Sequence, residues 1–161
     1  MEGGQAYSVD ELFLKIAKAK PYFGKKGGVT VSCGEPLLQA KALLPLFKKL
    51  KKAGIHTALD TNGRILNHFG KELMDKYTDL VMLDVKHMTE EGYQHITGMK
   101  NNQTTFNFSE YREKSKKPMW LRYVLIPGLT DHPEILKALG EKFQDYDSIE
   151  KLEIQPYHKL G

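Results

Sequence analysis

The sequence predicts an α/β protein built on a parallel sheet, and three observations carry that reading. Apolar runs of strand length alternate with stretches of helical spacing along the chain. The strand-like runs are apolar on both faces, as strands covered by crossover helices are, and such crossovers are right-handed. Polar residues collect just beyond the carboxyl ends of those runs, where the loops of a parallel sheet share one face. Periodicity leaves the closure of the sheet open, but about five strands are too few for an eight-stranded barrel, and no G-x-G-x-x-G follows the first strand. With no linker or repeat to divide its 161 residues, the chain reads as a single domain, 1–161.

The elements follow in order. Ser8 and Glu11 form a capping box, after which Val9, Leu12, Phe13, Ile16 and Ala17 recur at helical spacing as far as Pro21. Val29 to Ser32 read as a short strand, and Pro36 starts a helix through Leu43, Leu46, Phe47 and Leu50 that Pro45 should kink or split. A strand from Ile55 to Leu59 leads to the turn Thr61-Asn62-Gly63, a helix at 68–76 and a buried strand at 79–84. Short helices at 90–96 and 106–114 precede the strand 119–126. A helix from Pro133 to Phe143 and a strand from Ile149 to Ile154 complete the pattern.

Composition excludes several classes. With 27% charged and 40% hydrophobic residues, the chain is neither disordered nor a membrane protein. No apolar run spans a bilayer, and the start, MEGGQAYSVDEL, has no signal-peptide features, so cytoplasmic residence and no membrane partner are expected. The densest basic run, Lys48-Lys49-Leu50-Lys51-Lys52, reads as a solvated last helical turn before Gly54 rather than a nucleic-acid patch. The single cysteine, Cys33, excludes an intrachain disulfide and any site needing two thiolates from this chain.

Each strand ends in polar residues: Ser32-Cys33-Gly34-Glu35, Asp60-Thr61-Asn62-Gly63, Asp84-Val85-Lys86-His87, Arg122 and Tyr123 before Pro127-Gly128, and Gln155-Pro156-Tyr157-His158. One shared polar site explains all five. Taken singly, Asp60 could serve a turn, Asp84 and Lys86 a surface ion pair, Arg122 a structural carboxylate partner, and His158 an exposed tail. His56, His68, His87, His95 and His132 lack metal-ligand spacing and read as structural or surface residues.

In this order and spacing, SCGEPLLQ, GIHTALDTNG, TDLVMLDVKHM, WLRYVLIPGLTD and IEKLEIQPYHKLG resemble the pyruvate formate-lyase activating enzymes of the radical S-adenosylmethionine superfamily. The likeness runs from about Ser8 to Gly161. It implies a partial (β/α) barrel and an activase that generates a glycyl radical on pyruvate formate-lyase through a 5′-deoxyadenosyl radical. It also implies S-adenosylmethionine and a [4Fe-4S] cluster as cofactors, and a reductant such as flavodoxin as a second partner. Gly34 and Glu35 match the motif whose backbone meets the methionyl amino group. Asp60, Lys86 and His158 match positions contacting the methionyl or ribose parts. Asp60, Thr61, Met82 and Asp84 match a monovalent-cation site, and Arg122 a substrate-facing basic position.

Two departures from the family pattern shape the expectations. The cluster motif C-x-x-x-C-x-x-C is not in this sequence, so the chain is expected to be a central fragment, without the first strand unit and the C-terminal end, that cannot ligate the cluster and is inactive alone. The unpaired sheet edge would then favour a marginal fold or self-association. Cys33 stands at the first glycine of Gly-Gly-Glu-Pro, and a side chain there costs about 1 kcal/mol where φ is positive. Alternatives are a non-catalytic remnant binding S-adenosylmethionine or the partner, and a cluster-free lyase using Lys86 as a Schiff-base amine.

Overall fold

Residues 4–25 and 27–158 are described by a computed structural model of the protein; the Lys159-Leu160-Gly161 end of the last motif lies outside them. Among the described residues six α-helices and five strands follow in the order α1 (Val9–Ala19), β1 (Gly28–Val31), α2 (Ala40–Lys52), β2 (His56–Thr61), α3 (His68–Tyr77), β3 (Leu80–Asp84), α4 (Glu90–Thr97), α5 (Gln103–Lys114), β4 (Met119–Leu125), α6 (Pro133–Phe143) and β5 (Ile149–Pro156).

Local chemistry sets the helix starts. Ser8 Oγ accepts from Glu11 N–H at 3.2 Å while Glu11 Oε2 accepts from Ser8 N–H at 2.9 Å, the reciprocal pair that begins α1. Asn67 and Thr89 cap α3 and α4 by accepting from Gly70 and Gly92, and Gly98, at φ 70°, ends α4. Pro45 corrects an expectation: α2 runs through it unbroken, and the change of winding falls earlier, where a 3₁₀ turn at Pro36–Gln39 gives way to α-helix. Packing outweighs the lost backbone bond, because Leu46, Phe47 and Leu50 are each at most 2% exposed.

All four strand pairings are parallel and the sheet order is β1-β2-β3-β4-β5. The register places Asp60 beside Met82, Met82 beside Trp120, and Asp84 beside Arg122. Neighbours in register share a face, and so do residues two apart, so these side chains stand on one face of the sheet. Leu59, Val81, Leu83, Leu121 and Tyr123 alternate onto the other face and are buried. The strands are therefore not apolar on both faces throughout: toward their carboxyl ends one face turns polar. β5 departs furthest, with Leu152 and Ile154 exposed. Among the described residues β1 pairs only with β2.

Arg112 locks the opposite end of the sheet. Only 1% exposed, it donates from α5 to the carbonyls of Met74 (3.3 Å), Asp79 (3.1 Å) and Pro118 (2.9 Å), tying the end of α3 to the starts of β3 and β4. Burial pulls its guanidinium down to about 10, against the opposing fields of Asp75 and Asp79.

Candidate functional site

The loop after β1 is bent by two consecutive left-handed residues, Cys33 (φ 73°) and Gly34 (φ 65°). Glycine adopts this conformation freely, whereas the cysteine side chain is strained in it, so the condition set by the sequence is met. A Cβ on Gly34 would have no neighbour within 4 Å, so its backbone faces open space. Glu35 then turns the loop back across the sheet. Its carboxylate accepts from Leu37 N–H at 3.0 Å, from the Thr61 hydroxyl at 2.7 Å and from Asn62 N–H at 3.0 Å. The loops after β1 and β2 are thus held by one side chain.

After β2, two small turns fix the backbone: Thr61 Oγ1 accepts from Gly63 N–H at 3.1 Å, and Asn62 Oδ1 from Arg64 N–H at 3.0 Å. Asn62, not Asp60, makes the Asx turn, which leaves the Asp60 carboxylate for the site. Arg122 reaches Asp60 Oδ1 from its Nη2 at 3.1 Å and Asp84 Oδ1 from its Nε at 3.1 Å. Lys86 Nζ donates to Asp84 Oδ2 at 3.0 Å, the arrangement of an ion pair rather than of a free nucleophilic amine.

These groups share one cavity of about 390 Å³, lined by Cys33, Gly34, Asp60, Thr61, Asn62, Asp84, Lys86 and Arg122. Burial raises the Asp60 carboxyl above its ordinary value; the Arg122 charge opposes this and that of Asp84 adds to it. Arg122 moves up as well, since burial works against it but Asp84 and Asp60 outweigh burial. The two partners differ in what they gain. Arg122 meets two carboxylates, while Asp60 has one close cation and a like charge nearby.

The structure does not bring every candidate together. His158 lines a separate opening of about 590 Å³ with Val124, Gln155, Pro156 and Tyr157. Met82 shares the sheet face but lines a hollow of about 720 Å³ with Thr30, Ala58 and Trp120. Thr61 contributes to the cavity, but its hydroxyl is committed to Glu35. A cation held by Asp60, Thr61, Met82 and Asp84 fits this arrangement poorly, because Arg122 already bridges both carboxylates. No group of three or more His, Cys, Asp or Glu side chains placed to hold a metal ion occurs among the described residues. One thiol cannot supply the three thiolates of a [4Fe-4S] site, so the residues of this chain do not hold that group. The Glu35 carboxylate was missed by sequence reasoning, which considered only its backbone; a carboxylate placed just before a proline at a helix start is the available signal.

A sulfonium zwitterion suits this donor set: carboxylates for its ammonium, cations for its carboxylate, and an open backbone at Gly34. Comparisons with known proteins place the chain among relatives. Over 168 aligned residues the chain is 43% identical to the pyruvate formate-lyase-activating enzyme of Staphylococcus epidermidis, covering 99% of this chain and 66% of that protein. Its counterpart in Staphylococcus aureus is 44% identical over the same shares. The chain thus spans just under two-thirds of the length of these curated relatives. A crystallised domain of pyruvate-formate lyase-activating enzyme from Bacteroides vulgatus superposes with TM-score 0.75 at 26% identity, over 82% of this chain and 81% of that one. Streptococcus suis SuiB bound to S-adenosylmethionine shares the fold, with TM-score 0.81 at 16% identity, over 99% of this chain and 36% of that one. The family model of the radical SAM superfamily matches residues 1–139, which takes in every cavity-lining residue, and the chain accordingly belongs to that superfamily.

Proposed function

We propose that this chain is the S-adenosylmethionine-binding part of an activating enzyme that installs a glycyl radical on pyruvate formate-lyase. The carrying observation is the Asp60–Arg122–Asp84–Lys86 array, two carboxylates and two cations inside one cavity at the carboxyl ends of parallel strands. Likeness to named activating enzymes over nearly the whole chain supports the choice of partner.

In this reading Lys86 holds the methionyl carboxylate and Asp60 and the Gly34 backbone take the ammonium, while His158, in its separate opening, is matched to the ribose side by the resemblance alone. Arg122 bridges Asp60 and Asp84, and faces the entering glycyl loop. Glu35 holds the two loops that shape the pocket. S-adenosylmethionine, if bound here next to a reduced cluster held by residues outside this chain, would supply hydrogen-atom abstraction at a glycine Cα of the partner. The chain's own residues bind, orient and shield that reaction. It acts together with residues that ligate the cluster and with a reductant such as flavodoxin, and is inactive without the cluster thiolates.

A chimera tests the proposal: this chain replaces the aligned segment of the Staphylococcus epidermidis enzyme, and glycyl radical formation on pyruvate formate-lyase is followed by electron paramagnetic resonance. The expected result is a radical signal from the chimera that Lys86→Ala reduces at least tenfold. A folded, cluster-loaded chimera giving no radical would sink the proposal.

A further inference from the structure

His87 stands outside the cavity, yet the residue is only 6% exposed and both its ring nitrogens are committed. Nδ1 lies 3.1 Å from the Thr89 backbone N–H, which can only donate, so Nδ1 is the unprotonated nitrogen. The ring proton therefore sits on Nε2 and points to the carbonyl of Leu129 at 3.3 Å. The Thr89 hydroxyl is also 3.1 Å from Nδ1, while accepting from Gly92 N–H at the start of α4. The imidazole lies on the bare backbone of Gly92: a Cβ there would come within 2.0 Å of the ring. These contacts join the loop after β3 to the loop after β4, 42 residues away. The backbone on either side is held too. Val85 N–H donates to Arg122 O at 2.9 Å, and the buried Asn102 amide donates to Met88 O at 3.0 Å.

Lys86 is the residue between these anchors, and among the described residues its side chain is held by Asp84. We propose that His87 is a positioning residue: by latching the β3–α4 loop to Leu129 and resting on Gly92, it sets where Lys86 projects into the cavity. The proposal rests on the reading of Lys86 as a ligand-binding group for its purpose, but the latch is a property of this chain alone. The fixed tautomer matters to it. A ring with the proton on Nδ1 would turn a donor toward Thr89 N–H and leave Leu129 O without one.

The test uses no ligand, so its failure is distinguishable from failure of the S-adenosylmethionine reading. Lys86 reactivity is measured by competitive acetylation with site-resolved mass spectrometry, with hydrogen exchange of residues 85–92 alongside and ring ¹⁵N shifts reporting the His87 tautomer. His87→Leu should raise both Lys86 acetylation and loop exchange about tenfold, the change expected for losing one good hydrogen bond, with Lys76 on α3 unaffected. His87→Gln, which keeps an N–H donor toward Leu129, should recover part of the difference. Gly92→Ala, whose methyl displaces the ring, should reproduce His87→Leu and serves if that variant does not fold. Parental Lys86 reactivity and loop exchange in a folded variant, an equal rise at Lys76, or an Nδ1–H tautomer would each overturn the proposal.

Discussion

The Glu35 carboxylate accepts the Thr61 hydroxyl at 2.7 Å and so couples the turn after β1 to the turn after β2, 26 residues along the chain. Its second oxygen accepts Asn62 N–H, and the first also accepts Leu37 N–H. Removing this side chain leaves three donors to find water in a partly buried place. Glu35→Ala should destabilise the fold by about 2–3 kcal/mol. Urea unfolding reads it, and a change under 0.5 kcal/mol would show the turns to be independent.

Cys33 sits at φ 73°, a conformation that costs an L-residue about 1 kcal/mol and glycine nothing. Cys33→Gly should therefore hold stability level or raise it by up to about 1 kcal/mol, the relieved strain being partly offset by the greater freedom of the unfolded chain. A clear loss in thermal unfolding would mean that the thiol makes a contact that outweighs the strain.

Arg112 is a buried cation whose partners are carbonyls at the ends of α3, β3 and β4. Arg112→Ala strands those acceptors and opens a cavity, for an expected loss of about 3–5 kcal/mol. Arg112→Lys keeps a charge but not the planar fork and should recover under half of it. Full recovery with lysine would refute the role given to geometry.

Asp60 supplies the pH dependence. Its carboxyl is raised from the ordinary 3.8, so the folded state holds its proton more tightly than the unfolded chain does. Stability then falls as pH rises from 3.8 through the raised value, and the ionised carboxylate is a net cost at neutral pH. Asp60→Asn should be the more stable protein at pH 7, a gain that vanishes below pH 3.8. Equal stability of the two proteins at pH 7 would contradict the direction. Ligand affinity should drop in the same variant, as expected of a residue that trades stability for binding.

Much of this architecture was readable because its signals are local. Pro133 fixes the start of α6, and the prediction from Pro133 to Phe143 coincides with the helix. The apolar run before Asp84 likewise marked β3. At the site, Asp60, Asp84 and Lys86 are named from their places at the ends of strands and Arg122 from its place within the fourth, and the structure gathers them in one cavity. The alternatives weighed for Arg122 and Lys86, pairing with carboxylates, also hold: the pairs exist and are part of the cavity. What stayed hidden is long-range. The link between Glu35 and Thr61 crosses two strands, and α5, with its weak apolar pattern, gave no hint that Arg112 points inward. His87 was grouped with surface or structural histidines because one-dimensional spacing says nothing of a carbonyl 42 residues on. Pro45 misled because propensity counts one lost bond while the core counts Leu46, Phe47 and Leu50.

The sheet order β1-β2-β3-β4-β5 has a kinetic consequence. Among the described residues each of β2 to β5 pairs with the strand just before it in the chain, across offsets such as Gly28 to His56 and Ala58 to Leu80. No pairing waits for a distant segment, so each loop closure is short and its entropic cost is incurred one unit at a time. The sheet can grow from β1 toward β5 in chain order, each connecting segment docking before the next strand is added. Arg112 closes its clamp only when β4 begins, at Pro118. The sheet's lower end is thus secured late, after the strands bearing Asp60 and Asp84 are already side by side.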